Sequence, residues 1–327
     1  MSAKSAGDGR VATLAARLWE ASPPLVAVGA LMLAVAVAAI VGMLVDPRTI
    51  TGAPAWLKPF KFAVSTAVYS LTLAWMFGWL MAWPRARRTV GWTTAIVFVA
   101  EVAIIAAQAW RGTTSHFNIS TPLNATLFAV MGLAILIQTL VSMTVVVMLW
   151  RTKFTDRALG WALRWGMTLT VAGALTGPLM TRPTADQIAA ARADGRMSTA
   201  GAHTIGGMDG GPGAPVTGWS REHGDVRVPH FVGLHAVQAM VLVALVVGRW
   251  RRAESVRVRA VFAAAASYAA LFGLLLWQAL RGQSSVSPDA AALVSFGVWG
   301  ASTLVVLAWA AMGSRGWSND GLREVVR

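Results

Sequence analysis

Long apolar stretches alternate with short polar segments along most of this chain. Eight of the stretches come close to the ~20 residues that a helix needs to cross about 30 Å of hydrocarbon. The pattern therefore predicts an all-α integral membrane protein with eight transmembrane helices. They are expected at Pro24–Val45, Phe62–Trp83, Val90–Trp110, Leu123–Leu149, Leu159–Met180, His230–Val247, Ala260–Leu280 and Ala290–Met312.

The composition supports this interpretation and excludes several classes of protein. Of the 327 residues, 56% are hydrophobic and 13% are charged, whereas a soluble domain has about 25% charged residues. The net charge of +14 does not indicate nucleic-acid binding, because the bases separate apolar stretches instead of clustering on a soluble module. The expected partner is the lipid bilayer. The absence of cysteine excludes disulfides, thiolate metal sites and a cysteine nucleophile.

The distribution of Lys and Arg predicts the orientation. Seventeen bases fall on the side of the two termini and ten on the other side, half of them in one long loop. Because cytoplasmic loops are enriched in Lys and Arg, both termini are expected in the cytoplasm. The predicted location is the bacterial inner membrane, as a multi-pass protein.

The two halves of the chain resemble each other. Gln108–Gly112 (QAWRG) matches Gln278–Gly282 (QALRG), and the start of the second predicted span matches that of the sixth at an offset near 170. This order predicts a tandem duplication of four spans, with parallel copies. The resulting organisation is a cytoplasmic segment 1–23, a first repeat 24–149, a second repeat 150–312 and a cytoplasmic tail 313–327.

One outward loop, 181–229, is much longer than ordinary connections. Thr184 and Gln187 form a capping-box pattern that predicts a short helix ending near Gly195. Residues 201–218 contain seven glycines but are followed by Trp219, so we expect a folded lid over the outward face instead of a flexible tether.

Glu101 is the only acid inside a predicted span and shares a helical face with Gln108. Because burial of a carboxylate in a membrane is costly, it is either a proton acceptor or cation partner in a polar cavity, or a structural carboxyl group. The sequence leaves both readings open.

Arg111 and Arg281 end equivalent spans, each preceded by a glutamine, Gln108 or Gln278. They are either interfacial anchors or a paired clamp for a carboxylate or phosphate, which a guanidinium binds through two parallel hydrogen bonds. Other bases on the same side strengthen the second interpretation. They are Lys58, Lys61 and His230, which takes the place of Lys61 in the second half.

The histidines all lie toward the outward side. His230 and His235 project about 140° apart on a regular helix, so they cannot grip one metal together. A haem site would need His235 with a partner such as His116, and no metal site is predicted. Gln238, one turn beyond His235, is a further candidate for the lining of the pocket.

Several stretches carry a family resemblance: Asp46-Pro47-Arg48, WLKPFKF at 56–62, SHFN at 115–118 after Arg111-Gly112, and the segment 209–238. In these the chain resembles a family of bacterial multi-pass membrane proteins to which no activity is assigned. The resemblance covers Asp46 to about Gln238 and implies the fold class and the location. The four-plus-four arrangement is also similar to that of haem A synthase, whose Glu-x-x-His-Arg pattern is absent here.

Three functions fit these residues. The first is binding or transport of an anionic amphiphile or small acid in an outward-facing basic pocket, with a small molecule or a lipid as the ligand. The second is a membrane oxidoreductase or a haem- or quinone-handling protein that uses His116 or His235. The third is a structural or sensory protein without catalysis. Whether the protein is an enzyme stays open.

Overall fold

The structure is a computed structural model and describes residues 13–312. The cytoplasmic tail predicted at 313–327 and part of the N-terminal segment lie outside this range. After a short helix at 13–21, eleven helices and two short hairpins follow. The helices are α1 Pro23–Val45, α2 Leu57–Met76, α3 Pro84–Trp110, α4 Pro122–Arg151, α5 Arg157–Ala174, α6 Gly177–Met180, α7 Ala185–Asp194, α8 Arg227–Leu234, α9 Ala236–Gly248, α10 Glu254–Leu280 and α11 Ala290–Ala311.

All eight predicted apolar segments are helical, but fewer than eight are long and apolar enough to cross a membrane. Six described helices meet this condition: α1, α2 with its 3-10 extension to Trp79, α3, α4, α10 and α11. The bent pair of α8 and α9 would make a seventh. The predicted count of eight is therefore not supported. Helix α5 does not meet the condition, and its 18 residues include Arg157 and Arg164.

The helix ends follow local chemistry. Proline occupies the first turn of α1, α3 and α4, where its missing N–H has no partner to lose. Thr121, Asp156 and Asp289 cap the starts of α4, α5 and α11 through their side-chain oxygens. The predicted span Leu159–Met180 breaks after Ala174, because Pro178 at the start of α6 cannot continue the helix.

The helices of the two halves pack in the same order. In the first half α1 lies against α2 and α4 against α3; in the second, α5 lies against α9 and α11 against α10. Contacts between α4 and α5 join the halves. The largest apolar cluster, which includes Leu25, Phe77, Leu149, Leu163 and Val237, spans this junction.

The predicted span His230–Val247 is not one straight helix, because the chain bends by 46° between α8 and α9 at His235. Neighbouring side chains bond the backbone on either side of the bend. Tyr268 donates to the carbonyl oxygen of Val232 at 2.6 Å, and the Thr170 hydroxyl accepts from the N–H of Val237 at 3.1 Å. A helix broken at membrane depth is tolerated where such partners exist.

Residues 181–226 form a folded lid on one face of the bundle, as predicted. The lid contains α7, with the predicted capping box, and a hairpin of β3 Thr204–Ile205 with β4 Gly224–Asp225. A second hairpin, β1 Thr49–Ile50 with β2 Ala53–Pro54, lies on the same face. The lid pairs with the α3–α4 loop at Asn118–Thr199 and with the α10–α11 loop at His223–Gln283. We call this side of the bundle the lid face.

Candidate functional site

Basic side chains from three parts of the chain face one another beneath the lid. Lys58 and Lys61 lie one turn apart at the start of α2, and Arg227 and His230 lie one turn apart at the start of α8. Two histidines of the loops, His116 and His203, lie close enough to this group to interact with it electrostatically. The basic cluster consists of Lys58, Lys61, His116, His203, Arg227 and His230.

Two acids neutralise part of this cluster. Asp225 is 1% exposed and pairs with Arg227 at 2.6 Å, and it also accepts from the N–H of Ser220 at 2.8 Å. Asp209 pairs with the Nδ1 atom of His203 at 2.6 Å. Neither lysine forms an ion pair with an acid of the described residues.

The lysines differ in their contacts. Lys61 donates from Nζ to the carbonyl oxygen of Thr217 in the lid at 2.8 Å. Lys58 makes no hydrogen bond or ion pair within residues 13–312, and its Nζ atom lies 6.0 Å from the centre of the Phe62 ring. Arg227 and Lys61 both repel the Lys58 ammonium, whereas Asp209 and Glu101 attract it without forming an ion pair with it. Lys58 is therefore a half-buried cation that makes no direct ion pair within the described residues.

Aromatic rings form a wall beside Lys58. The rings of Phe62 and His116 are 5.6 Å apart, and Phe117 lies 5.8 Å from Phe128 and 4.8 Å from His203. Burial, together with the positive charge of Lys58, holds the pKa of His116 well below its ordinary value, so this ring is neutral at pH 7. The cation thus sits at the edge of a largely uncharged surface.

Phe117 holds this wall in a strained backbone conformation, with φ of 63°. Its carbonyl oxygen accepts from the N–H of Ala200 in the lid at 2.9 Å, and its side chain is 5% exposed. Positive φ at a bulky residue is costly and persists only where surrounding contacts impose it. The lid therefore fixes the aromatic side of the site.

Asp209 organises the lid next to His203. Its carboxylate accepts from the backbone N–H groups of His203 and Thr204 at 3.0 and 2.9 Å, and from the Thr204 hydroxyl at 2.8 Å. Burial alone would raise the pKa of Asp209, but these bonds and that from His203 hold it well below its usual range. Asp209 is therefore ionised at neutral pH, and its bonds hold the turn that carries His203.

Glu101 lies deeper, near the middle of α3. It is 2% exposed, and neither carboxylate oxygen has a hydrogen-bond partner within the described residues. Lys58 is the charged group that acts on it electrostatically. The site thus has an unpaired cation near the lid face and an unpaired carboxyl group below it.

Arg111 and Arg281, the predicted clamp, have separate partners. Arg111 donates to the side-chain oxygens of Gln108 and Asn124, whereas Arg281 pairs with Asp289 at 2.7 Å and stacks on Trp277. Each guanidinium binds a residue at the start of the next long helix, Asn124 of α4 or the cap residue Asp289 of α11, as an interfacial anchor would.

The turns that carry these arginines have the same geometry. Gln108 donates from its side chain to the carbonyl oxygen of Thr114 at 3.3 Å, and Gln278 donates to that of Ser284 at 2.9 Å. Gly112 and Gly282 follow with φ of 69° and 75°, a left-handed conformation that glycine adopts readily. Both glutamines are buried. They support the ends of α3 and α10, and neither forms a hydrogen bond with Lys58 within the described residues.

The contacts of His230, His235 and Gln238 differ from one another. His230 is held at 3.0 Å from both the Gly173 carbonyl oxygen and the Thr176 hydroxyl. His235 packs against Phe231, with ring centres 4.4 Å apart. Gln238 donates to Thr72 at 3.4 Å and lies on another surface. No group of three His, Cys, Asp or Glu that could hold a metal occurs within residues 13–312.

Two surface grooves lie away from the basic cluster. One, of about 360 Å³, is apolar and is lined by Gln238 with Leu14, Leu18, Trp75 and Leu242. The other, of about 390 Å³, lies at the outer edge of the lid beside Arg221 and Glu222. The open outward pocket expected from the sequence is not among them, because the lid closes over the cluster.

Arg227, His203, Asp209 and Asp225 are site residues that the sequence argument missed. The offset of 169 that matches Lys61 to His230 also matches Lys58 to Arg227, and this would have identified the arginine. The other three lie in the glycine-rich loop, where no helical period indicates which side chains turn inward.

The described helices and their apolar surfaces define an α-helical, polytopic membrane protein. No family model, curated protein or solved structure matches the chain.

Proposed function

We propose that this protein binds a small acid with an apolar tail at the basic cluster beneath the lid. The observation that carries the proposal is Lys58, a half-buried ammonium without a hydrogen bond or a direct ion pair in the described residues. A buried charge is costly unless it is paired. A carboxylate or phosphate oxygen bound from outside would supply the missing partner.

The surroundings of Lys58 favour an acid that also has an apolar part. Phe62, Phe117 and Phe128 lie on one side of the cation, together with the neutral ring of His116. Apolar contacts add roughly 25 cal/mol for each Å² of buried surface, whereas the charged contact fixes the orientation. A free amphiphilic acid and the headgroup of an anionic lipid share this chemistry.

Replacement of Lys58 by Met tests the site, since it removes the charge and keeps the length of the side chain. We expect the affinity for hexanoate to fall by about 10- to 100-fold, because a hydrogen bond to a charged group contributes roughly 1.5–3 kcal/mol. Lys61→Met should have a smaller effect, because Lys61 already bonds to the lid. The measurement is calorimetric titration of hexanoate into purified protein in phosphatidylcholine nanodiscs.

Lys153→Met is the matched control, because Lys153 is exposed and lies in the loop between α4 and α5, away from the lid. An unchanged affinity in Lys58→Met, or an equal loss in Lys153→Met, would refute the site. A second titration with inorganic phosphate and a third in nanodiscs with phosphatidylglycerol distinguish the sources of the anion. Competition by phosphatidylglycerol would identify a lipid headgroup as the ligand.

We also propose that α5 is an eighth span, so that both termini lie in the cytoplasm with the lid outside. Half of α5 is buried against other helices, and an enclosed span needs less apolar surface. Arg164 donates to the carbonyl oxygens of Leu149 and Thr152 at 3.1 and 2.7 Å, which compensates part of the cost of its charge. The excess of bases on the side of the termini supports this orientation.

Single cysteines test the orientation, since the chain contains none of its own. In intact cells, Glu222→Cys in the lid should react with a membrane-impermeant maleimide, and Lys153→Cys should react only after lysis. Reaction of both without lysis, or the reverse pattern, would contradict the eight-span topology.

The tandem duplication stays a proposal as well. It is supported by the equal turns at Gln108 and Gln278 and by the common packing order of the helices in the two halves. The halves differ at the site, because the position that matches Glu101 is Leu271. Under this proposal the second copy carries the lid and the first carries the buried acid.

A further inference from the structure

Arg259 is a cation whose buried donor groups have no partner. It lies in the second turn of α10 and is half-buried. Its Nε and Nη2 atoms are both buried, and neither donates a hydrogen bond within residues 13–312. A guanidinium nitrogen of Arg257 lies 3.7 Å from a carboxylate oxygen of Asp156, whereas Arg259 forms no ion pair with an acid of the described chain. A buried charge without a partner is costly, so Arg259 is a candidate for binding an anion from outside.

The two unpaired atoms form the edge of the guanidinium that binds oxyanions. The N–H groups of Nε and Nη2 point the same way from one side of the planar group, so they match two oxygens of a phosphate or a carboxylate. The contact that Arg259 does make is with the Trp309 ring, whose centre lies 5.6 Å from the Cζ atom of Arg259. This contact is made by the face of the guanidinium and leaves its edge free. Because the stem of an arginine is long and rotates, the edge can turn to the adjacent surface when an anion binds.

Arg259 lies at the end of the bundle opposite the lid. Helix α10 reaches the lid face at its other end, where Gln283 pairs with His223. Its 27 residues span about 40 Å, which is close to the thickness of a bilayer with its headgroups. Helices α10 and α11 are both long and apolar enough to cross a membrane. The start of α10, with Trp309 beside it, therefore belongs at the level of the lipid headgroups, where tryptophan is common.

An apolar stripe leads from Arg259 along the outside of α11. Val298, Val305 and Trp309 are exposed and share one face of this helix. The stripe is about 16 Å long, which is close to half of the roughly 30 Å of hydrocarbon in a bilayer. On the inner side, Ala260 and Ala310 belong to a buried apolar cluster. The guanidinium thus lies where a lipid phosphate would be, and the stripe lies where the acyl chain of that lipid would be.

Other bases around the start of α10 favour a lipid with a net negative charge. Arg249, Arg251 and Arg252 are exposed in the loop between α9 and α10, and none of them forms an ion pair within the described ranges. Basic residues next to a membrane helix attract anionic lipids. The ammonium group of a zwitterionic headgroup would be repelled by the same residues.

We propose that Arg259 binds the phosphate of an anionic phospholipid in the leaflet away from the lid, with an acyl chain along Val298 and Val305. This site is independent of the proposed acid site, because Lys58 lies at the opposite end of the bundle. An arginine that only anchors the helix would extend its donors to water, whereas Nε and Nη2 of Arg259 are buried beside the lipid-facing surface.

Native mass spectrometry of the protein in detergent, with added phosphatidylglycerol or phosphatidylcholine, measures the affinity for the first bound lipid. We expect the unmodified protein to prefer phosphatidylglycerol, and Arg259→Met to lose about tenfold in affinity for it, because two hydrogen bonds between charged groups are removed. Arg252→Met is the matched control, since it removes the same charge from an exposed position nearby, and it should change the affinity by less than about twofold. Arg259→Lys keeps the charge without the two parallel donors, so its affinity should lie between those of Arg259→Met and the unmodified protein.

Several results would overturn the site. Equal losses in Arg259→Met and Arg252→Met would show that binding depends on diffuse charge, and equal affinities for the two lipids would exclude recognition of an anionic headgroup. Displacement of phosphatidylglycerol by inorganic phosphate would assign the arginine to a free anion. Binding of the lipid only after Asp320 and Glu324 are both replaced by their amides would assign Arg259 to the acids of the C-terminal segment. If Arg259→Met does not fold, an affinity of Arg259→Lys equal to that of the unmodified protein would still contradict the paired hydrogen bonds.

Discussion

Replacement of Asp225 by Ala should open the lid and make it a substrate for trypsin. Asp225 bonds to Arg227 through both carboxylate oxygens and also accepts from the backbone N–H groups of Ser220 and Arg227. Its loss leaves Arg227, which is 29% exposed, without its acid partner and with the carbonyl oxygen of Gly218 as a remaining acceptor. Removal of one partner of a buried ion pair costs roughly 3–5 kcal/mol.

This loss of free energy makes local opening of the lid easier, because Asp225 is the last residue of the hairpin of β3 and β4. The open population should rise by two to three orders of magnitude, at about 1.4 kcal/mol for each factor of ten. Tryptic cleavage at Arg192, Arg196 and Arg221 measures it directly. Glu222→Ala removes an exposed acid three residues away and should leave the rate unchanged. Equal cleavage in both variants would show that Asp225 does not hold the lid.

Replacement of Gly173 by Leu should separate α5 from α8 and destabilise the whole bundle. A Cβ atom at Gly173 would lie 2.4 Å from the backbone carbon of Gly233, so the two helices touch through their backbones. Small residues at crossings permit such contact in membrane proteins. Because backbone atoms cannot rotate away, we expect a cost at or above the upper end of the 1–3 kcal/mol typical of overpacking, about 3 kcal/mol.

The measurement is thermal unfolding in detergent, where we expect Tm to fall by about 5 °C or more. Hexanoate binding should also weaken, since the Gly173 carbonyl oxygen is one of the contacts that position His230. Gly273→Leu is the control, because a Cβ atom at Gly273 would meet nothing within 4 Å. A Tm for Gly173→Leu equal to that of the control would contradict the close crossing.

The helices of this protein could be predicted from apolar periodicity. Some of the helix ends and breaks could not. Lys58 and Lys61 made the start of α2 look like a loop, whereas the helix begins at Leu57. The bend at His235 depends on Tyr268 and Thr170. Both lie on other helices, so no local pattern around His235 indicates it.

The candidate site was predicted in part. The sequence placed Lys58, Lys61, His116 and His230 on one face, and the structure brings them together. It also suggested a pair formed by Arg111 and Arg281, but charge and symmetry cannot reveal that each side chain already has a partner at the start of the next long helix. The same limit applies to Lys58, because the lack of a direct ion pair is a property of the packed structure.

The central claim is that an acid binds to Lys58 beneath the lid, and the position of a bound acid tests it most directly. Crystals of the protein with a bromine-labelled hexanoate would show the bromine by its anomalous scattering. We expect one peak under the lid, beside the aromatic wall of Phe62 and Phe117, with the carboxylate density within hydrogen-bond distance of the Nζ atom of Lys58. A peak only in the apolar groove of Leu14 and Gln238, or at the edge of the lid, would contradict the claim.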